Sequence, residues 1–237
     1  TDGTIGWGRW IDGTIDDDGS VYAMQHVHYV VGMPTPMSDM SALKLGNVTA
    51  TYSLQGYTFP TAWDGSTFTF ALEGDVRGLE PALAYDFTAN PVVCNISEGL
   101  MQVLPDGSMQ PLLAESYEHP DTLTYIYKIK KGIPFHNGEE MTIEDVVASI
   151  ERVRDPEVAS PMAWFYDPVD TIETPDDVTL KITLKEASAL FQFVMMTTAG
   201  HVVPKSAIED FGIDFLRNPV GTGPFKFSKW DAGSQIV

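Results

Sequence analysis

The stretch Phe135-His-Asn-Gly-Glu-Glu-Met-Thr-Ile-Glu-Asp-Val-Val-Ala-Ser-Ile-Glu-Arg152 constrains the fold more than any other part of this chain. A strand ends here, a Gly-containing turn follows, and a capped amphipathic helix begins. Thr142 is a good N-cap, and Asp145 three residues later can return a bond to the cap, a variant of the capping box. Ile143, Val146, Val147 and Ile150 fall at i, i+3, i+4 and i+7, which is one helix face. A second run, Asn218-Pro-Val-Gly-Thr-Gly-Pro-Phe-Lys-Phe227, carries two glycines and a proline that predict a tight turn starting a strand.

Around these anchors the pattern is mixed α/β. Leu123, Tyr125, Tyr127 and Ile129 alternate and share one strand face. Thr171-Ile-Glu and Val178-Thr-Leu-Lys-Ile-Thr-Leu flank Thr174-Pro-Asp-Asp and predict a hairpin. Leu190, Phe191, Val194 and Met195 predict a second helical stripe. Phe68-Thr-Phe-Ala-Leu is a short strand running into the loop Glu73-Gly-Asp-Val-Arg-Gly-Leu-Glu-Pro81. Before residues 62 to 68 the character differs: Gly, Thr, Asp and aromatic residues dominate, with β-type alternation. Ile5 to Ile11, Val21 to Val31 and Val48 to Leu54 each predict a strand, with Asp12-Gly13 and Asp18-Gly19 as turn chemistry between the first two. Met33-Pro-Thr-Pro-Met-Ser-Asp is a loop. The expected division is a β-rich module over 1–66, forming a small antiparallel sheet or part of a barrel, and an α/β part over 67–237.

Composition narrows the function. With 33 acidic residues against 14 basic, the chain carries a formal charge of −19. Phosphate neutralisation needs clustered Lys and Arg, so nucleic acid is excluded as a partner. A hydrophobic content of 43% suffices for a packed core. No apolar run approaches the roughly 18 residues that a spanning helix requires. Nor does Thr1 begin a signal peptide, which leaves a cytoplasmic, processed or fragmentary chain as the expectation.

The candidate chemistry is sparse. Cys94 lies in the apolar run Pro91-Val-Val-Cys-Asn-Ile and reads as a buried structural thiol. His26 and His28 share a strand face, but no third metal ligand stands at a suitable spacing. Asp16, Asp17 and Asp18 lack the spaced oxygens and closing Glu of a calcium loop. Glu139 and Glu140 precede a helix start, where the helix dipole accounts for them. No nucleophile elbow or phosphate loop occurs, so neither catalysis nor a cofactor is expected. Trp164, Phe165 and Tyr166 are consecutive and cannot all face one side of a regular element. Such rings can line a groove that holds extended or apolar ligands.

Six runs, in order, resemble the N-terminal part of a family 5 extracytoplasmic solute-binding protein, the peptide-, dipeptide- and nickel-binding components of ABC importers. They are Ala71-Leu-Glu-Gly-Asp-Val-Arg-Gly-Leu-Glu-Pro-Ala-Leu, Asn95-Ile-Ser-Glu-Gly-Leu, Leu112-Leu-Ala-Glu-Ser-Tyr, Tyr127-Lys-Ile-Lys-Lys-Gly-Ile-Pro-Phe-His-Asn-Gly, Thr142-Ile-Glu-Asp-Val-Val and Asn218-Pro-Val-Gly-Thr-Gly-Pro-Phe. The resemblance implies a mixed α/β fold, the incomplete first lobe of a two-lobed type II clamshell. It also implies non-catalytic capture of a small solute, a peptide above all, in the periplasm or another extracytoplasmic space, and delivery to a membrane permease. By similarity, Asp75, Val76 and Arg77 line the ligand cleft, Trp164 and Tyr166 form a second lining segment, and His201 is a further ligand-binding candidate near the lobe boundary. The second lobe and the returning segment of the first are expected beyond residue 237. Residues before 67 are foreign to that family. Their Trp-Gly-Arg-Trp and Ala-Thr-Tyr-Ser-Leu runs resemble the β-rich module of FecR-domain proteins. The alternative function is a cell-surface or adhesion-type protein whose β-module interacts and whose α/β part is degenerate.

Overall fold

The computed structural model describes six strand backbones within residues 8–70, residue 72, and residues 74–237 apart from 87, 105 and 106. It divides into two compact units, Thr1–Asp75 with Val103–Met109, and Val76–Gln102 with Gln110–Val237.

In the first unit β1 (Gly8–Ile15), β2 (Val21–Val27) and β3 (Leu43–Leu45) form one antiparallel sheet, and β4 (Ala50–Leu54), β5 (Tyr57–Trp63) and β6 (Phe68–Phe70) another. Asp12-Gly13 does not turn the chain. It lies inside β1, where the register against β2 skips between Ile11 and Gly13. The extra residue of a bulge absorbs what composition alone suggests is a turn. Pro60 sits within β5 opposite Thr51, beyond the stretch 61–63 that pairs with β6. Its missing N–H is tolerated where a strand has one neighbour. His26 faces Arg9 across the ladder. The readings at His28, Asp16 to Asp18, Asp18-Gly19 and Met33 to Asp39 lie outside the described residues.

Next along the chain come α1 (Ala89–Ile96), β7 (Glu98–Gly99), β8 (Met101–Val103) and β9 (Met109–Pro111). Cys94 is buried on α1, its thiol donating to Asn90 Oδ1 at 3.1 Å. β10 (Ala114–Glu118), β11 (Thr124–Ile129), β12 (Val169–Asp176) and β13 (Thr179–Leu184) form a four-stranded antiparallel sheet in the order β10-β11-β13-β12. Tyr125, Tyr127 and Ile129 are buried together with Leu180, Ile182 and Leu184, the single face that alternation predicts.

The central helix α2 (Ile143–Arg154) starts at the predicted capping box. The Thr142 N–H donates to Asp145 Oδ2 at 2.8 Å, and the Thr142 hydroxyl to the same oxygen at 2.7 Å. Its apolar face buries Ile143, Val146, Ile150 and Val153. Glu139 and Glu140 serve as hydrogen-bond acceptors, for the Ser206 hydroxyl (2.6 Å) and the Gly132 N–H (2.7 Å). The second helical stripe is a single turn, α3 (Phe191–Val194), with Phe191, Val194 and Met195 buried and Leu190 outside. β14 (His201–Val202) pairs with β7, and α4 (Lys205–Phe211) runs into the 3-10 segment Gly212–Arg217. A hairpin of β15 (Trp230–Asp231) and β16 (Gln235–Ile236) ends the described chain.

The two sequence anchors meet. The His136 N–H donates to the Gly221 carbonyl at 2.9 Å, and His136 Nε2 lies 2.7 Å from the Gly223 carbonyl. Gly223 and Phe225 in turn donate to the carbonyls of Ile96 and Asn95 at the end of α1. No strand starts here, because residues 221–229 hold no ladder. The glycines are required by close approach: a Cβ on Gly221 would lie 2.3 Å from the Ile96 oxygen, and one on Gly223 would lie 2.5 Å from the Asn95 oxygen.

Gly221→Ala should therefore cost about 2–3 kcal/mol, the scale of an overpacked core site. Chemical denaturation measures this, and a loss under about 0.5 kcal/mol would contradict the packing. A second expectation concerns the β12–β13 turn. The Val178 N–H (3.0 Å) and Thr179 hydroxyl (2.9 Å) donate to Asp176 and hold its carboxyl below the ordinary 3.8. A group depressed in the folded state stabilises fully above its unfolded pKa, and that contribution disappears as pH falls through the folded value. An NMR pH titration should place the Asp176 midpoint below 3.8; a midpoint at or above it would remove the turn's contribution.

Candidate functional site

Residues 76–85 form an irregular segment that is nonetheless held along its length. The Leu79 N–H donates to the Leu216 carbonyl at 2.7 Å. Glu80, 1% exposed, meets Arg152 at 2.6 Å through Nε and 3.3 Å through Nη2. The Ala82 carbonyl accepts the Ser160 hydroxyl at 2.5 Å, and the Ala84 carbonyl accepts the Thr198 hydroxyl at 2.9 Å. Loops have backbone groups that helices and sheets would otherwise satisfy. Here the Ser160 and Thr198 hydroxyls satisfy the Ala82 and Ala84 carbonyls, the Leu216 carbonyl takes the Leu79 N–H, and Arg152 of α2 meets the Glu80 carboxylate.

The aromatic run is positioned by the same contacts. Ala159 takes a left-handed backbone, φ 52°, a conformation that costs a non-glycine residue about 1 kcal/mol or more. It delivers Ser160, whose hydroxyl binds Ala82 and also accepts the Met162 N–H at 3.1 Å. The 3-10 turn Ala163–Tyr166 follows and splits its three rings. Tyr166 points inward, 2% exposed, donates to the Ala199 carbonyl at 2.8 Å and meets Phe191 edge-on. Burial pushes its phenol pKa well above the ordinary 10.0. Trp164 points outward, 47% exposed, and stacks on Phe165 at 4.0 Å.

Hydrogen bonds thus join the later part of the loop that follows Arg77 to Ser160, ahead of the aromatic run, and to Thr198, three residues before His201. Arg77 leads into the pinned loop, Trp164 follows Ser160, and His201 follows Thr198. Their side chains differ in what they can reach. Arg77 and Trp164 are exposed, whereas Val76, Tyr166 and His201 are buried. His201 Nδ1 lies 2.9 Å from the Ser97 hydroxyl, inside the strand pair with β7. Asp75 is exposed and belongs to the first unit.

Sequence reasoning missed three residues. Tyr85, 59% exposed, stands directly after Ala84. Thr198 touches both the Ala84 carbonyl and Met162 Sδ (3.5 Å), so Tyr85 and Trp164 issue from backbone segments held against one another. Glu80 and Arg152 were the others. Their signal was a carboxylate inside Leu79-Glu-Pro-Ala-Leu, an apolar context in which a charge requires a partner. Among the described residues no group of three or more His, Cys, Asp or Glu side chains could hold a metal ion, and no helix is long and apolar enough to cross a membrane.

Residues 108–237 match the model of a family described as bacterial extracellular solute-binding proteins, family 5 Middle. Over 168 residues the chain is 30% identical to the glutathione-binding protein GsiB of Pectobacterium atrosepticum, covering 70% of this chain and 31% of that one. The structure of the PBP AgaA of A. tumefaciens R10, in complex with agropinic acid, superposes with a TM-score of 0.65 at 32% identity, covering 70% of this chain and 34% of AgaA. The ABC transporter-associated periplasmic binding protein DppA from Helicobacter pylori, in complex with the peptide STSA, gives 0.62 at 27% identity, over 69% and 36%. The chain spans about a third of the length of these relatives.

The split of the aromatic run has a measurable consequence. Trp164→Ala should change unfolding free energy by no more than about 0.5–1 kcal/mol, as at other exposed positions. Tyr166→Ala should cost about 3–5 kcal/mol, the range for a buried aromatic. Equal losses in urea denaturation would contradict the outward and inward assignments.

Proposed function

This chain belongs to the bacterial extracellular solute-binding proteins of family 5, and from that premise we propose that it captures a small peptide-like solute outside the cytoplasm for the permease of an ABC importer. Capture is non-covalent and no bond of the solute is made or broken. The observation that carries this reading is the pinned segment 76–85, which leaves the Arg77 side chain in solvent while the backbone beyond it is fixed. Binding then requires little further ordering of the loop, the cost that most weakens small-solute recognition.

The chemistry of the outward residues favours a peptide-like solute. A guanidinium takes a carboxylate through two parallel N–H···O bonds, and a peptide ends in a carboxylate. The Trp164 indole, backed by Phe165, offers an apolar face for a side chain or a planar amide. Val76, Tyr166 and His201 act in this reading as the packing beneath the site. GsiB binds glutathione, itself a tripeptide, and the DppA structure holds the peptide STSA.

An isotope-labelled sample of the chain titrated with glutathione tests this. At up to about 5 mM solute even a complex of about −4 kcal/mol is populated. The Arg77 amide and the Trp164 indole N–H should shift together and saturate, while sucrose at the same concentration leaves both unmoved. Shifts centred on other residues, or an equal response to sucrose, would reject the proposal.

A further inference from the structure

We propose that Arg152 is a positioning residue for the solute-binding loop: it touches no solute, and acts by locking residues 77–80 to the segment Gly212–Arg217 through Glu80. This rests on the reading of residues 76–85 as solute-binding. The geometry is a closed ring of contacts. Arg152 Nε and Nη2 hold the two Glu80 carboxylate oxygens, and the same Nη2 donates to the Gly212 carbonyl at 2.7 Å. Next to Glu80, the Leu79 N–H donates to the Leu216 carbonyl, and Gly78 lies so near Leu216 that a Cβ there would stand 3.1 Å from the Leu216 Cβ. Gly212 and Leu216 belong to one 3-10 segment. Two links, one ionic and one through backbone, therefore join the same two pieces of chain at both ends of the contact.

Stability alone does not require this arrangement. Apolar residues of similar volume commonly replace a buried ion pair with no loss of stability. What they cannot reproduce is direction. A planar guanidinium serves a carboxylate along one edge and a carbonyl with a remaining N–H, a fork that a lysine ammonium does not copy. The Glu80 carbonyl also accepts the Leu83 N–H at 3.1 Å, so fixing Glu80 fixes the start of the 3-10 turn Pro81–Leu83. From Arg77 to Ala84 the loop then keeps one geometry with the site empty or filled.

The test uses the whole chain, as wild type, as Arg152→Lys, and as the paired variant Glu80→Met with Arg152→Met. Amide hydrogen exchange is followed at Leu79, Leu83 and Ala84, with Tyr127 in the central sheet as the reference for global folding, and glutathione affinity is read at Arg77. In Arg152→Lys, exchange at the three loop amides should accelerate about tenfold or more while Tyr127 is unchanged, since local opening is independent of global unfolding. Affinity should fall about tenfold. The Met pair should regain the wild-type melting temperature yet keep the weakened affinity, an outcome that a merely structural role does not produce. Wild-type loop exchange or wild-type affinity in either variant overturns the positioning role, and if Arg152→Lys does not fold, the Met pair decides alone. A wild-type chain whose Arg77 ignores glutathione, with loop exchange still dependent on Arg152, overturns the solute-site reading and the proposal with it, and the exchange data show which link failed.

Discussion

Glu80 is a carboxylate with almost no access to water, and the organisation of the second unit follows from where its charge is met. An unpaired charge in such a place costs several kcal/mol, so the loop that carries Glu80 can settle only against Arg152. Arg152 is not isolated on α2. Asp145, Ser149 and Arg152 stand at i, i+4 and i+7, a polar row on the buried side of the helix. Asp145 Oδ1 accepts the Lys205 N–H that opens α4 (2.8 Å), and Ser149 exchanges bonds with Val203 as acceptor at 2.9 Å and donor at 3.2 Å. With Arg152 on Glu80 and Gly212, one helix fixes three separate segments.

This explains the division of labour at the candidate site. An irregular loop that presents side chains in one fixed geometry faces a conflict, because loops are mobile. Here the side chains beneath the surface are spent on anchoring: Ser160 on Ala82, Thr198 on Ala84, Tyr166 on Ala199. What remains in solvent is Arg77, Trp164 and Tyr85. The inward residues set the geometry that the outward ones present.

Features governed by local periodicity stand plainly in the sequence. The capping box at Thr142, the apolar face of α2, the buried face of β11 and the hairpin around Asp176 each follow from residues within a few positions of one another. The polar row on α2 does not, since Asp145, Ser149 and Arg152 look like ordinary solvent-facing residues until their distant partners are known. The same holds for Gly221 and Gly223, whose requirement arises from α1, more than a hundred residues earlier. Asp12-Gly13 shows the converse error, a turn signal absorbed as a bulge because a longer ladder continued past it. At the candidate site, residue type singles out Arg77 and the run 164–166 as segments, but which ring of 164–166 faces outward depends on the left-handed step at Ala159 and the bond from Ser160.

The central claim is that the buried Glu80–Arg152 pair sets the position of the loop. A double-mutant cycle of Glu80→Met, Arg152→Met and the pair, followed by urea unfolding, measures it most directly. Each single variant strands a buried charge and should lose about 3–5 kcal/mol, while the pair loses far less than the sum. Single losses within about 1 kcal/mol that simply add, the behaviour of an exposed ion pair, would contradict the account.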